Sequence, residues 1–202
     1  MPRTATVARK TRETDIACTW DLDGAATATA TTTATGTIAT GIGFLDHMLE
    51  ALAKHSGTAI AVRCQGDLHI DGHHTTEDIG IVLGQCLRQA MGERVGVERF
   101  GHMACPLDEA LVTATVDLSG RPYLVYDLNP GAGMLGTWDT ELITEFFGAL
   151  TDHGRFCLHL HQLHGRNSHH IVEAGFKAFA RALRQAITVT GSGVPSTKGC
   201  LE

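Results

Sequence analysis

Two stretches of the chain alternate β-branched or apolar residues with polar ones up to a glycine: ETDIACTWDLDG, ending at Gly24, and EALVTATVDLSG, ending at Gly120. Alternation at period two predicts half-buried strands. A second strand pattern follows each, in the alanine- and threonine-rich stretch 25–40 and at Tyr123–Leu128. Helical spacing comes next. FLDHMLEALAKHSG puts Leu45, Met48, Leu49 and Leu52 on one face and stops at Gly57. TELITEFFGALTDHG does the same with Leu142, Phe146, Ala149 and Leu150, and stops at Gly154. Each helix is followed by a strand pattern, AIAVRCQGDLHI or FCLHLHQLHG, and then by a second helix, His73 to about Met91 or His169 to about Ala186.

The order β-β-α-β-α thus occurs twice. It predicts an α+β fold of two like halves, residues 1–94 and 95–191, packed as a sandwich with helices on one side of mixed sheets. Residues 192–202 form a Gly-, Ser- and Pro-rich tail that reads as a loop. The repetition is literal at several points. His73, His74 and Glu77 recur as His169, His170 and Glu173, an offset of 169 − 73 = 96 residues. At the same offset Leu87-Arg88-Gln89-Ala90 recurs as Leu183-Arg184-Gln185-Ala186, Asp21-Leu22-x-Gly24 as Asp117-Leu118-x-Gly120, and Glu13 as Glu109.

Composition narrows the function. With 43% hydrophobic and 19% charged residues over 202, the chain reads as an ordinary globular protein. The net charge of −6 and the absence of clustered basic runs disfavour nucleic acid as a partner. No apolar run reaches bilayer length, and MPRTATVARKTRE lacks a signal-peptide core, so no membrane role and a cytoplasmic location are expected. Six cysteines without C-x-x-C spacing read as free thiols.

The twelve histidines carry the chemistry. Residues four apart share a helix face, so His73 with Glu77, and His169 with Glu173, can each grip one cation. His74 and His170 point about 100° further round, so one helix can serve two metals. Imidazole and carboxylate without thiolate suit manganese or iron better than structural zinc. The bland alternative for a single HHxxE is a solvated helix start; two copies in register weigh against it. Matched positions on the preceding helices, His47 in FLDHM and Glu145 in ITEFF, are candidates for the remaining ligands. Taken alone, His47 reads more readily as a packed or capping residue than as a ligand.

FLDHM, DGHHTTED, PLDEAL, DLSGRPY, NSHHIVEA, FKAFARALRQA and PSTKG occur in an order that resembles the imidazoleglycerol-phosphate dehydratase family of histidine biosynthesis, from Glu13 to Leu201. The resemblance implies a hydro-lyase, a carbon–oxygen lyase that converts D-erythro-imidazole-glycerol phosphate to imidazole-acetol phosphate. It implies a ribosomal protein S5 domain 2-like arrangement, trimers assembling with Mn2+ into a 24-subunit homo-oligomer, and active sites between subunits. Two Mn2+ per site would take His47, His73, Glu77 and His169 in one set, and His74, Glu145, His170 and Glu173 in the other. They would hold the substrate ring between them as an imidazolate. Glu13 would be the catalytic carboxylate, with Asp108 a second candidate. Arg99, Arg121, Lys177, Ser196 and Lys198 would bind the phosphate. For Glu13 the plain alternative is an exposed edge-strand carboxylate, and for Arg99 and Lys177 a solvated surface charge.

The chain departs from the pattern in places: Glu145 stands where many relatives carry His, the stretch 25–40 is longer than usual, and Ala51 stands where some have Gln. His102, His153, His159, His161 and His164 match no ligand position. Two other classes remain open, a non-catalytic di-metal shell and a di-metal phosphate-ester hydrolase; phosphate release would mark the second.

Overall fold

The alternating runs are strands, but neither is the first of its half. A computed structural model describes residues 2–24 and 37–201. In it β1 (Thr4–Lys10) precedes β2 (Thr14–Asp21), then come β3 (Ile38–Ala39), α1 (Gly43–Ser56), β4 (Ala59–Gly66) and α2 (His73–Met91). The second half runs β5 (Phe100–Leu107), β6 (Ala110–Asp117), β7 (Tyr123–Asp127), a small hairpin of β8 (Met134–Leu135) and β9 (Trp138–Asp139), α3 (Leu142–Gly154), β10 (Cys157–His164) and α4 (Ser168–Ile187). The alanine- and threonine-rich stretch expected to form a strand lies outside the described residues from 25 to 36; its described end contributes only β3.

The two large sheets have the same plan. Their strand orders are β1-β2-β4-β3 and β5-β6-β10-β7. In each, the last-added strand runs antiparallel to one neighbour and parallel to the other, so both sheets are mixed. The strands that sequence pattern missed, β1 and β5, are the edges. Their inward residues are small or only half buried, and β5 carries Gly101 and Pro106, both weak strand formers tolerated at an edge. Gly101 has a further reason: a Cβ there would lie 1.9 Å from the Ala182 carbonyl oxygen, so only glycine lets α4 lie against this strand.

Helices pack on the inner face of each sheet and then on each other across the halves. α2 contacts β1, β2 and β4 of its own half and α3 of the other; α4 contacts β5 and β6 and, across the halves, α1. One continuous apolar core results, with Trp20, Leu45 and Val82 of the first half joined to Phe146, Phe176 and Phe179 of the second. α2 and α3 approach closely at Gly84, where a Cβ would sit 2.7 Å from the Gly154 backbone nitrogen. Gly154, which ends α3 as expected, is also a buried packing residue. The left-handed cap falls on Arg155, at φ 55°. α1 does end at Gly57 in the left-handed conformation (φ 71°), its N–H returning to the Ala53 carbonyl.

Among the described residues no helix is long and apolar enough to cross a membrane. All six cysteines are free thiols, with Cys18, Cys86 and Cys105 buried.

Candidate metal centre

The first turns of α2 and α4 present the two HHxxE motifs at one end of the helix layer, and local hydrogen bonds fix both starts. Asp71 Oδ1 accepts the His73 N–H at 2.8 Å, and Asn167 Oδ1 accepts the His170 N–H at 3.3 Å. Next to Glu77, Asp78 is buried and bound by Arg9 and the Thr14 hydroxyl, which fastens that side of α2 to its sheet and leaves Glu77 on the open side. α1 is fixed by Asp46, whose Oδ1 accepts from the Thr40 backbone N–H (2.8 Å) and hydroxyl (2.6 Å).

α1 and α4 bring His47, His169 and Glu173 together, each offering one ligand atom within 4.8 Å of the others. Glu173 Oε2 is 2.9 Å from His169 Nε2 and 3.5 Å from His47 Nε2. Its other oxygen accepts from Lys177 Nζ at 2.6 Å. Desolvation pushes the Glu173 carboxyl up, but Lys177 and His169 outweigh it and hold it below the ordinary carboxylate value. Phe44 abuts His169 edge-on at 5.0 Å, and Trp138, 6.0 Å from Phe44, donates its indole N–H to Thr76 of α2 at 2.9 Å. That aromatic link joins the two motif helices. Sequence reasoning missed it, because Trp138 sits on a two-residue strand with no periodicity of its own.

Among the described residues His47, His169 and Glu173 form the one such cluster. His73 Nε2 stands 4.0 Å from Glu77 Oε2, and Glu145 is exposed on α3, the helix packed on α2. Within one chain, Glu173 therefore lies with His47 and His169, while His73 and Glu77 form a separate pair.

The second histidines are flanked by carboxylates. His74 Nδ1 is 3.0 Å from Asp67 and its Nε2 is 3.7 Å from Glu13; His170 Nδ1 is 2.7 Å from Glu109 and its Nε2 is 3.8 Å from Asp108. Glu13 occupies the β1–β2 turn, and Asp108 (φ 47°) the β5–β6 turn, so equivalent hairpins deliver the two. The hydrogen bonds to Asp67 and Glu109 raise the pKa of His74 and His170 above the ordinary imidazole value. Glu109 is held down at about 2, first by His170 and then by the Asn167 and Arg166 N–H groups. A depressed carboxyl stabilises the fold above its unfolded pKa of 4.5, and a raised imidazole does so below its unfolded 6.5. The metal-free chain is thus expected to exceed Glu109→Gln in melting temperature most between those two values. The gap should narrow as pH rises through the His170 titration, which melting curves in chelator will show.

The expected phosphate cations gather elsewhere. Arg99, at φ 71°, donates its backbone N–H to the Ala186 carbonyl near the end of α4. Its guanidinium is bidentate to Asp117 (2.7 and 3.2 Å) and donates to the Pro195 carbonyl at 2.9 Å, which ties down the tail bearing Ser196 and Lys198. Exposed Arg121 lies beside Cys157, whose Sγ contacts its carbonyl oxygen at 3.4 Å. Of the five, only Lys177 is at the histidine end.

Two like mixed sheets with a His-and-carboxylate cluster on the helices between them define an internally repeated α+β protein with side chains of the metal-binding type at one place. Residues 40–183 match the family described as imidazoleglycerol-phosphate dehydratase. Relatives bearing that name from Jannaschia sp. (strain CCS1) and Acidiphilium cryptum are each 52% identical, over 98% and 100% of this chain and 100% of theirs. The crystal structure of imidazoleglycerol-phosphate dehydratase from Staphylococcus aureus covers 94% of this chain and 99% of its own at 38% identity, with a TM-score of 0.80. That of the Pyrococcus furiosus protein in complex with (S)-C348 covers 96% and 100% at 40% identity, also at 0.80. The chain belongs to the imidazoleglycerol-phosphate dehydratase family and is a dehydratase, a hydro-lyase.

Proposed function

We propose that the chain dehydrates D-erythro-imidazole-glycerol phosphate to imidazole-acetol phosphate in cytoplasmic histidine biosynthesis, at sites built between copies of itself. The observation that carries the reading is the meeting of His47, His169 and Glu173 from two helices, a nitrogen-and-oxygen donor set without thiolate. That set fits manganese. His47, His73, His74, Glu77, Glu145, His169, His170 and Glu173 would hold two Mn2+ per site. When bound, the ions supply Lewis-acid stabilisation for negative charge on the substrate ring.

The chain's own residues do the rest. Glu13 or Asp108 takes the proton from the middle glycerol carbon, which keeps its oxygen, and the protonated acid gives one to the hydroxyl on the carbon attached to the imidazole, which leaves as water. The resulting enol becomes the ketone by proton shift. Arg99, Arg121, Lys177, Ser196 and Lys198 hold the phosphate.

Distance supports the sharing. His169 and Ala186 are 186 − 169 = 17 residues apart along α4, roughly 25 Å at the helical rise. Arg99 and the tail are at the Ala186 end, so they cannot meet a substrate held at the His169 end of the same chain. A closed homo-oligomer, 24 subunits built from trimers, supplies the missing end from a neighbour.

Incubation with Mn2+ and imidazole-glycerol phosphate tests the activity. Imidazole-acetol phosphate formed without free phosphate supports it; phosphate release favours a phosphate-ester hydrolase, and bound metal with no turnover favours a metal-binding shell.

A further inference from the structure

The second histidine of each motif has the same ring nitrogen engaged by a carboxylate, yet the two carboxylates are unrelated by the repeat. Asp67 comes from the loop between β4 and α2, and Glu109 from the β5–β6 turn. Ala59 pairs with Asp21 as Cys157 pairs with Asp117, so this segment is offset by 157 − 59 = 98 and Asp67 falls at the Gly165–Arg166 stretch, which has no carboxylate. The counterpart of Glu109 is Glu13, 96 residues earlier, which approaches His74 from the other ring nitrogen. The two halves arrive at one arrangement through different residues.

Both carboxylates are held in place. Glu109 Oε1 accepts the backbone N–H groups of Arg166 (3.1 Å) and Asn167 (2.8 Å), which leaves Oε2 for His170. The Asp67 side chain is 17% exposed, its backbone N–H donates to the Glu13 carbonyl at 3.0 Å, and its Oδ1 is buried without a hydrogen-bond partner.

We propose that Asp67 and Glu109 are positioning residues that fix the tautomers of His74 and His170, keeping the proton on Nδ1 and presenting the Nε2 lone pair to a divalent cation. An ionised carboxylate can only accept, so the facing Nδ1 must carry the hydrogen and the neutral ring is left with its free pair on Nε2. An amide reverses this. In Glu109→Gln the carbonyl can keep Arg166 and Asn167 while the NH2 donates to Nδ1, favouring a ring whose Nε2 is protonated and cannot ligate. The inference rests on the metal reading above.

The test pairs ring 15N shifts of His74 and His170 in the metal-free protein above their titration with manganese affinity from the signal of free ion. In the parent both rings are expected as the Nδ1–H tautomer. Asp67→Asn should convert His74 alone and Glu109→Gln His170 alone, each weakening manganese binding roughly 10- to 100-fold. Rings that stay Nδ1–H in both variants overturn the proposal whatever the affinities, as do converted rings with unchanged affinity. A parent that binds no manganese instead contradicts the metal reading, a failure told apart because the tautomers are read without metal.

Discussion

Glu173→Gln is expected to lose manganese, particle assembly and dehydration together. Glu173 is the hub of the cluster: one oxygen faces His169 and His47, the other takes the Lys177 ammonium. The amide keeps the shape but removes the charge, so Lys177 is left without its anion and the cation with a weaker neutral ligand. Loss of metal stabilisation worth about 4 kcal/mol lowers turnover roughly a thousandfold. Metal content per chain, particle mass and rate, measured on one preparation, check it. A variant with full manganese and full particle size would remove Glu173 from the ligand set.

Lys198→Ala is expected to act on substrate alone. Lys198 is exposed on a tail that Arg99 anchors through Pro195, and its backbone N–H bonds to Ser196 Oγ at 3.2 Å, so its ammonium is presented by a folded loop. Removing one charged hydrogen bond to phosphate costs about 1.5–3 kcal/mol, a rise in KM of roughly 10- to 100-fold. Manganese affinity should not move, because Lys198 is assigned to the phosphate and is not among the proposed metal ligands. Steady-state kinetics beside a metal titration separate the two, and an unchanged KM would take the tail out of the site.

The sequence made the helices legible because their signals are local. Leu45, Met48, Leu49 and Leu52 mark a face, and Gly57 marks an end with φ 71°. The paired HHxxE strings were legible because the repeat places one beside the other. What stayed hidden depends on contacts between distant segments. β1 and β5 are edge strands with few large inward residues, so their alternation carries little apolar contrast. Asp67 and Glu109 are loop carboxylates whose importance lies only in the imidazole each one faces. Arg99 was expected as a free phosphate cation; its engagement with Asp117 and Pro195 required a partner outside any motif. Gly154 does end α3, but its second role at the crossing with Gly84 of α2 carries no local signal.

The central claim is that the histidine end of one copy and the cation end of another make one active site. Two variants test it, Glu13→Gln at the histidine end and the double variant Arg121→Ala/Lys198→Ala at the other. Each is taken apart with chelator, then mixed in equal amounts and reassembled with Mn2+. Random pairing of two chains restores up to about one site in four, so the mixture should be far more active than the sum of the separate variants. Activity no greater than that sum would contradict the claim and confine each site to a single chain.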